Sequence, residues 1–72
     1  MSSRTVADKS FSGEKVRVIR GVKGIGVNEL GRLLGVRGSA VSMWESGKRH
    51  PHVDMLIRLA RALKVKIEDF YV

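Results

Sequence analysis

Two amphipathic segments joined by about three residues constrain the fold of this chain more than any other feature of its sequence. Both segments have apolar residues at helical spacing, and the first ends at Gly35. The apolar residues of the first are Val27, Leu30, Leu33 and Leu34. The second segment, about residues 38–45, places Val41 and Trp44 three positions apart on one face. A connection this short forces two helices into contact at a steep angle.

The residues around this connection meet the packing demands of such a pair. Gly31 is small where the two helix axes would approach most closely, and Gly35 can adopt the positive φ that the turn requires. Five apolar residues fall on inward positions: Leu30, Leu34, Val36, Val41 and Trp44. The segment from 27 to 48 is therefore predicted to form a helix-turn-helix unit.

Helices are also expected on both sides of this unit. Ser12 is a suitable N-cap for a helix over about 13–23, and Pro51 precedes another helix. The apolar set of that later helix is Val53, Leu56, Leu59, Ala60 and Leu63. A short turn follows at about 68–71. No alternating apolar run indicates a strand, so the fold class is all-α. Residues 1–11 mix polar and charged types without periodicity and are expected to form a flexible arm, which leaves 12–72 as the folded domain.

Positive charge is concentrated in the middle of the chain. The 72 residues include 14 Lys and Arg and 7 Asp and Glu, for a net charge of +7. Residues 15–51 hold eight of these cations and only two acids. A solvated surface would explain part of this excess, but its concentration favours a polyanionic partner such as nucleic acid.

The composition also argues against several other classes of protein. Without cysteine, the chain has no disulfide scaffold, thiolate metal site or thiol nucleophile. No apolar run approaches the ~20 residues that span a bilayer, and we expect no membrane partner. The N-terminus does not resemble a signal peptide, so the cytoplasm is the simplest compartment. No nucleophile, base and acid can be assembled into a catalytic site, and the chain is not expected to be an enzyme.

The residues in and just after the segment at about 38–45 resemble a known family. Its most specific stretch is Trp44-Glu45-Ser46-Gly47-Lys48-Arg49 followed by Pro51, and further matches are Arg20, Glu29-Leu30, Gly35-Val36 and Val41-Ser42. The sequence is similar, over about 15–71, to helix-turn-helix domains of the Cro and phage-repressor type, also called the xenobiotic-response-element family. The resemblance implies a compact, lambda-repressor-like bundle of five helices. It also implies sequence-specific binding of duplex DNA, usually as a homodimer on a near-palindromic operator.

The resemblance carries DNA-contacting roles onto particular residues. The candidates for the base edges or the groove are Arg37, Gly38, Ser39, Ser42 and Met43. The candidates for phosphate contacts are Val27, Asn28, Lys48 and Arg49. Val27 stands where the family usually has Gln, and the exposed positions of the third helix, at about 38–45, have small or apolar residues where long polar ones are common. Arg20 and Glu45 match the family's structural ion pair between the first and third helices.

Two apolar surfaces are candidates for the dimer interface. Tyr71 and Val72 end the chain beside Phe70, which we expect to cap the core, and we favour this C-terminal end. Val18 and Val22, four residues apart on the first helix, are the alternative.

The leading hypothesis is a transcriptional regulator, typically a repressor, that reads the major groove with its third helix. It would need no cofactor, metal ion or small-molecule ligand. His50, His52 and Asp54 lack a fourth ligand and two of them flank Pro51, so a metal site is not expected. The alternative is a protein-interaction module of the same fold, such as an antitoxin or an adaptor. RNA binding is disfavoured because exposed aromatic residues are scarce.

Overall fold

In the part of the chain that the structure describes, four α-helices enclose one apolar core and are followed by a turn of 3-10 helix. The computed structural model describes residues 10–72. The helices are α1 (Gly13–Val22), α2 (Val27–Leu34), α3 (Gly38–Ser46) and α4 (Val53–Leu63), and the 3-10 helix is Ile67–Phe70. Among these elements, none is long and apolar enough to cross a bilayer.

The all-α class is confirmed, but the count of five α-helices is wrong for the described residues. The last element has only four residues, and its hydrogen bonds run from Asp69 back to Lys66 over three positions (N···O 3.0 Å). Tyr71 then leaves in an extended conformation to form an isolated antiparallel bridge with Phe11. This pairing ends the 3-10 helix before a further helical turn can form.

The helix boundaries follow the capping residues of the sequence. The Ser12 side chain accepts a hydrogen bond from the Lys15 main-chain N–H (3.3 Å) and caps α1. α2 and α3 end at Gly35 and Gly47, whose φ angles of 75° and 84° lie in the left-handed region. These two glycines set the directions in which the chain enters and leaves α3.

The core is built from one stripe on each helix. Its buried members are Val16, Leu30, Leu34, Val41, Trp44, Leu56, Leu59, Ala60, Leu63 and Phe70. Trp44 and Phe70 therefore both pack in the core, as the sequence predicts. Because Val41 and Trp44 of α3 are buried in this core, the opposite face of the helix is exposed to solvent.

Two residues of the expected apolar faces lie outside the core. Leu33 is 56% exposed and Val53 is 69% exposed. Leu33 lies about 100° around the helix axis from Leu34, so an eight-residue helix that buries Leu30 and Leu34 turns Leu33 outward. Val53 is the first residue of α4, where no preceding turn covers it.

The two ends of the described chain are paired with each other. The Ser12 N–H donates to Phe70 O (2.7 Å), and the Val72 N–H donates to Ser10 O (3.0 Å). Phe11 is half-buried and packs against the core. Of the arm expected at 1–11, residues 1–9 lie outside the described residues, whereas Ser10 and Phe11 join the C-terminal segment.

Candidate nucleic-acid interface

α2 and α3 are held together by glycine-mediated contacts at their turn. A Cβ atom on Gly31 would lie 2.7 Å from Val36 O and 3.0 Å from Gly38 N, closer than side chains approach main-chain atoms. The Val36 N–H donates to Gly31 O (2.8 Å), which closes the turn that begins at Gly35. The two helices therefore form one rigid helix-turn-helix unit, as their spacing predicts.

The N-terminal ends of α2 and α3 lie side by side. A Cβ atom on Gly38 would overlap Asn28 Oδ1 and lie 3.1 Å from Val27 Cγ1. Gly38 is half-buried, so its part in the site is to permit this approach. Arg37, the N-cap residue of α3, is exposed beside it. The predicted groove residues and the predicted phosphate residues at these two helix ends are thus brought together.

The outward face of α3 presents small side chains. Ser39, Ser42 and Met43 are exposed, opposite the buried Val41 and Trp44. The helix is therefore bare enough for close approach of a large partner along this face.

The loop after α3 folds back onto the end of that helix. The main-chain N–H groups of Lys48 and Arg49 both donate to Met43 O, at 3.0 and 3.2 Å. Their side chains, and that of His50, are exposed. This places two cations at the C-terminal end of the α3 face, while Arg37 lies at its N-terminal end.

Arg20 and Glu45 form a bidentate ion pair that connects α1 to α3. Arg20 Nε donates to Glu45 Oε2 (2.6 Å) and a terminal nitrogen donates to Oε1 (3.1 Å). The other terminal nitrogen donates to Ile25 O (3.0 Å), so the same side chain also binds the turn before α2. The hydrogen bond with Glu45 raises the pKa of Arg20 above its usual range, against the opposing effect of burial. The pair therefore connects α1 and the turn before α2 to α3.

The charge around α3 is strongly one-sided. Among residues 10–72, carboxylates are found within ion-pair distance of only Arg17, whose partner is Glu14 at 3.4 Å, and Arg20. Arg37, Lys48 and Arg49 have no such partner there. Because Glu45 is occupied by Arg20, the surface around α3 is left with uncompensated positive charge.

Two structural contacts of the site were not predicted. A Cβ atom on Gly13 would collide with Trp44 O and lie 2.7 Å from Glu45 O, so α1 crosses α3 at very short range. Arg58 donates to Leu34 O (2.7 Å) and satisfies a carbonyl at the C-terminal end of α2. A glycine in a first helical turn is the only sequence signal for the Gly13 contact, and none distinguishes Arg58 from a solvated arginine.

Both candidate dimer surfaces expose apolar side chains to solvent. Val72 is 73% exposed, whereas Tyr71 is half-buried with its ring centre 6.2 Å from that of Phe11. Val18 and Val22 on α1 are both exposed. Each surface therefore has apolar side chains open to a partner.

Comparison with known proteins places this geometry in a family. A family model described as helix-turn-helix matches residues 19–70, which is most of the chain. The chain belongs to the helix-turn-helix family. Its structural matches include the P22 c2 repressor, which confirms the resemblance to the Cro and phage-repressor type.

Similar helix-turn-helix proteins come from several sources. An uncharacterized HTH-type transcriptional regulator of Archaeoglobus fulgidus is 29% identical over 58 residues, covering 81% of this chain and 83% of that protein. The P22 c2 repressor, in complex with a synthetic operator, is 30% identical, with a TM-score of 0.76 over 82% of this chain and 89% of the solved repressor chain. The restriction-modification controller protein C.AhdI of Aeromonas hydrophila is 29% identical, with a TM-score of 0.76 over 81% and 88%.

Proposed function

We propose that this protein is a transcriptional regulator that binds duplex DNA in a sequence-specific manner, with α3 in the major groove. One observation carries the proposal: the outward face of α3 is small and free of acidic side chains, and the cations that flank both of its ends have no carboxylate partner among residues 10–72. A B-DNA major groove admits one α-helix, and the phosphates on its two sides attract cations. The operator complex of the P22 c2 repressor, which has the same fold, supports this mode of binding.

The proposed contacts divide into two groups. Arg37, Ser39, Ser42 and Met43 face the groove, and Gly38 lets the α3 end approach the duplex closely. Val27 and Asn28 offer the free main-chain N–H groups of the first turn of α2 to one phosphate. Lys48 and Arg49 contact the backbone at the other end of α3. Phosphate contacts position the protein, and contacts to base edges supply specificity.

A homodimer on a near-palindromic operator completes the proposal. One α3 reads only a few base pairs, and a two-fold dimer places a second copy on the next half-site, about one helical turn away. We place the dimer interface at Tyr71 and Val72. The exposed Val72 side chain supports this choice.

The relatives are named as regulators and repressors, which favours regulation over catalysis. We therefore propose that the protein represses transcription, that it is cytoplasmic, and that it uses neither a cofactor nor a small-molecule ligand. The remaining candidate, an antitoxin or adaptor of the same fold, has one observation in its favour: the apolar Val18, Val22, Leu33 and Val53 side chains are exposed.

Selection of binding sites from a pool of random duplexes tests the proposal. We expect an enriched motif with two related halves, and binding that weakens steeply with salt because condensed counterions are released. If the pool instead yields no motif although the protein remains folded and dimeric or captures a protein partner, that outcome would support the interaction module.

A further inference from the structure

The solvent-exposed face of α3 lacks the side chains that usually recognise a base through two hydrogen bonds at once. Within α3, which the structure describes in full, Glu45 is the only side chain with two hydrogen-bonding atoms on one planar group. Both of its oxygens are engaged by Arg20, and its side chain is only 8% exposed. Bidentate recognition of guanine or adenine therefore has no donor group within this helix.

The serines on the same face discriminate poorly between bases. The Ser46 hydroxyl donates to Met43 O (3.2 Å), so its proton is already used. Ser39 and Ser42 each carry one hydroxyl, which is both donor and acceptor and can pair with any base edge. Their contribution is to keep the surface small and polar.

Met43 is the remaining side chain of this face, and it is apolar. It lies four residues after Ser39 and one after Ser42, on the same side of α3, and it is 39% exposed. Its main-chain carbonyl accepts hydrogen bonds from Lys48, Arg49 and Ser46, which fixes the position from which the side chain projects. The most prominent apolar group that a major groove presents is the 5-methyl group of a pyrimidine.

We infer that Met43 is a specificity-determining residue that recognises the 5-methyl group of a pyrimidine in each half-site. The inference rests on the proposed function, because it requires α3 to lie in the major groove. The unbranched, polarisable thioether of methionine adapts to a methyl group without demanding a fixed hydrogen-bond geometry. Thymine and 5-methylcytosine both supply this group, so the protein would read the methyl group rather than the base that carries it.

Methyl deletion within the selected operator tests this inference directly. Each thymine is replaced singly by uracil, which removes one methyl group and leaves every hydrogen-bonding atom in place. For the wild-type protein we expect one position in each half-site where the replacement weakens binding by roughly threefold to tenfold, the range for one buried methyl-sized group. For Met43→Ala the same replacement should have no effect, and the Arg61→Ala protein, whose altered residue lies on α4, serves as the control that keeps the wild-type response.

A second arm separates the two sources of the methyl group. At the sensitive position the T·A pair is replaced by C·G, with and without 5-methylation of the cytosine. We expect the methylated cytosine to bind more tightly than the unmethylated one in the wild-type protein and equally in Met43→Ala. If only the thymine methyl group matters, the recognised group is thymine itself and the broader reading of any 5-methyl group is overturned.

The outcomes for this inference and for the proposed function are distinct. An operator that binds tightly but shows no methyl-sensitive position, or one whose sensitivity persists in Met43→Ala, overturns the inference and leaves the proposed function intact. Failure to bind any duplex removes both. Since Met43 is on the surface, the variant should fold, which a thermal melt followed by circular dichroism checks.

Discussion

The Arg20 guanidinium holds the Glu45 carboxylate through two hydrogen bonds, and the third bond of the same guanidinium fixes the turn before α2. One side chain of α1 thus controls the placement of both helices of the helix-turn-helix unit. The pair is largely shielded from water, with 17% and 8% of the two side chains exposed.

Breaking this pair from one side should be costly. Arg20→Ala leaves Glu45 buried without a partner, and we expect a loss of about 3–5 kcal/mol in the free energy of unfolding. The double variant Arg20→Met, Glu45→Leu should be more stable than Arg20→Ala, because neither charge remains. Urea unfolding of the wild-type protein, of Arg20→Met, of Glu45→Leu and of the double variant closes a double-mutant cycle and measures the coupling. Additive effects of the two sites would show that the pair does not act as a unit.

Two glycines of α1 should respond to alanine in opposite directions. Gly13→Ala places a methyl group against Trp44 O and Glu45 O, and we expect a loss of about 1–3 kcal/mol in stability. Gly21 has open space around its Cβ position in the same helix, so Gly21→Ala should raise stability by about 0.5–1 kcal/mol. Thermal melts of the two variants give the comparison. Equal stability of both would contradict the close crossing of α1 over α3.

Removal of Arg37 and removal of Lys48 should weaken DNA binding in different ways. Arg37→Ala should cost about 1–3 kcal/mol for the operator if the side chain reaches a base edge, with a smaller effect on random duplex. Lys48→Ala should weaken both duplexes alike and reduce the slope of the salt dependence by about one. Arg61→Ala on α4 removes the same charge at a distance from α3 and is the matched control. A loss in the control equal to that in the two variants would mean that net charge alone governs binding.

The C-terminal surface can be tested without removing its main-chain pairing. Val72→Asp puts a charge on an exposed side chain and should shift the sedimentation profile toward monomer, while stability changes by less than about 0.5 kcal/mol. Val22→Asp on α1 is the matched variant and should leave the dimer intact. The reverse result, with the dimer lost only in Val22→Asp, would move the interface to α1.

The sequence predicted those parts of the fold that depend on local chemistry. Ser12 and Gly35 mark helix ends because capping and left-handed φ angles restrict residue type, and Trp44 is buried because its spacing matches the core stripe. Leu33 was misplaced because spacing alone does not say how wide the buried stripe of a short helix is.

The contacts that place α3 depend on tertiary geometry and were less visible. The Arg20–Glu45 pair came from the family resemblance, since the two residues are 25 positions apart in the sequence. The approach of Gly13 to Trp44 and the capping of α2 by Arg58 arise only when distant helices pack together. Which side chains of α3 meet DNA remains a prediction for the same reason: it depends on a surface formed with a partner.

The central claim is that α3 distinguishes one duplex sequence from another. The most direct measurement is the affinity of the wild-type protein for the selected operator and for a scrambled duplex of equal length and composition, at one physiological salt concentration. We predict that the operator binds at least about 1,000-fold more tightly, the lower end of the range for specific DNA-binding proteins. Equal affinities for the two duplexes would contradict sequence-specific reading by α3, even if both bind.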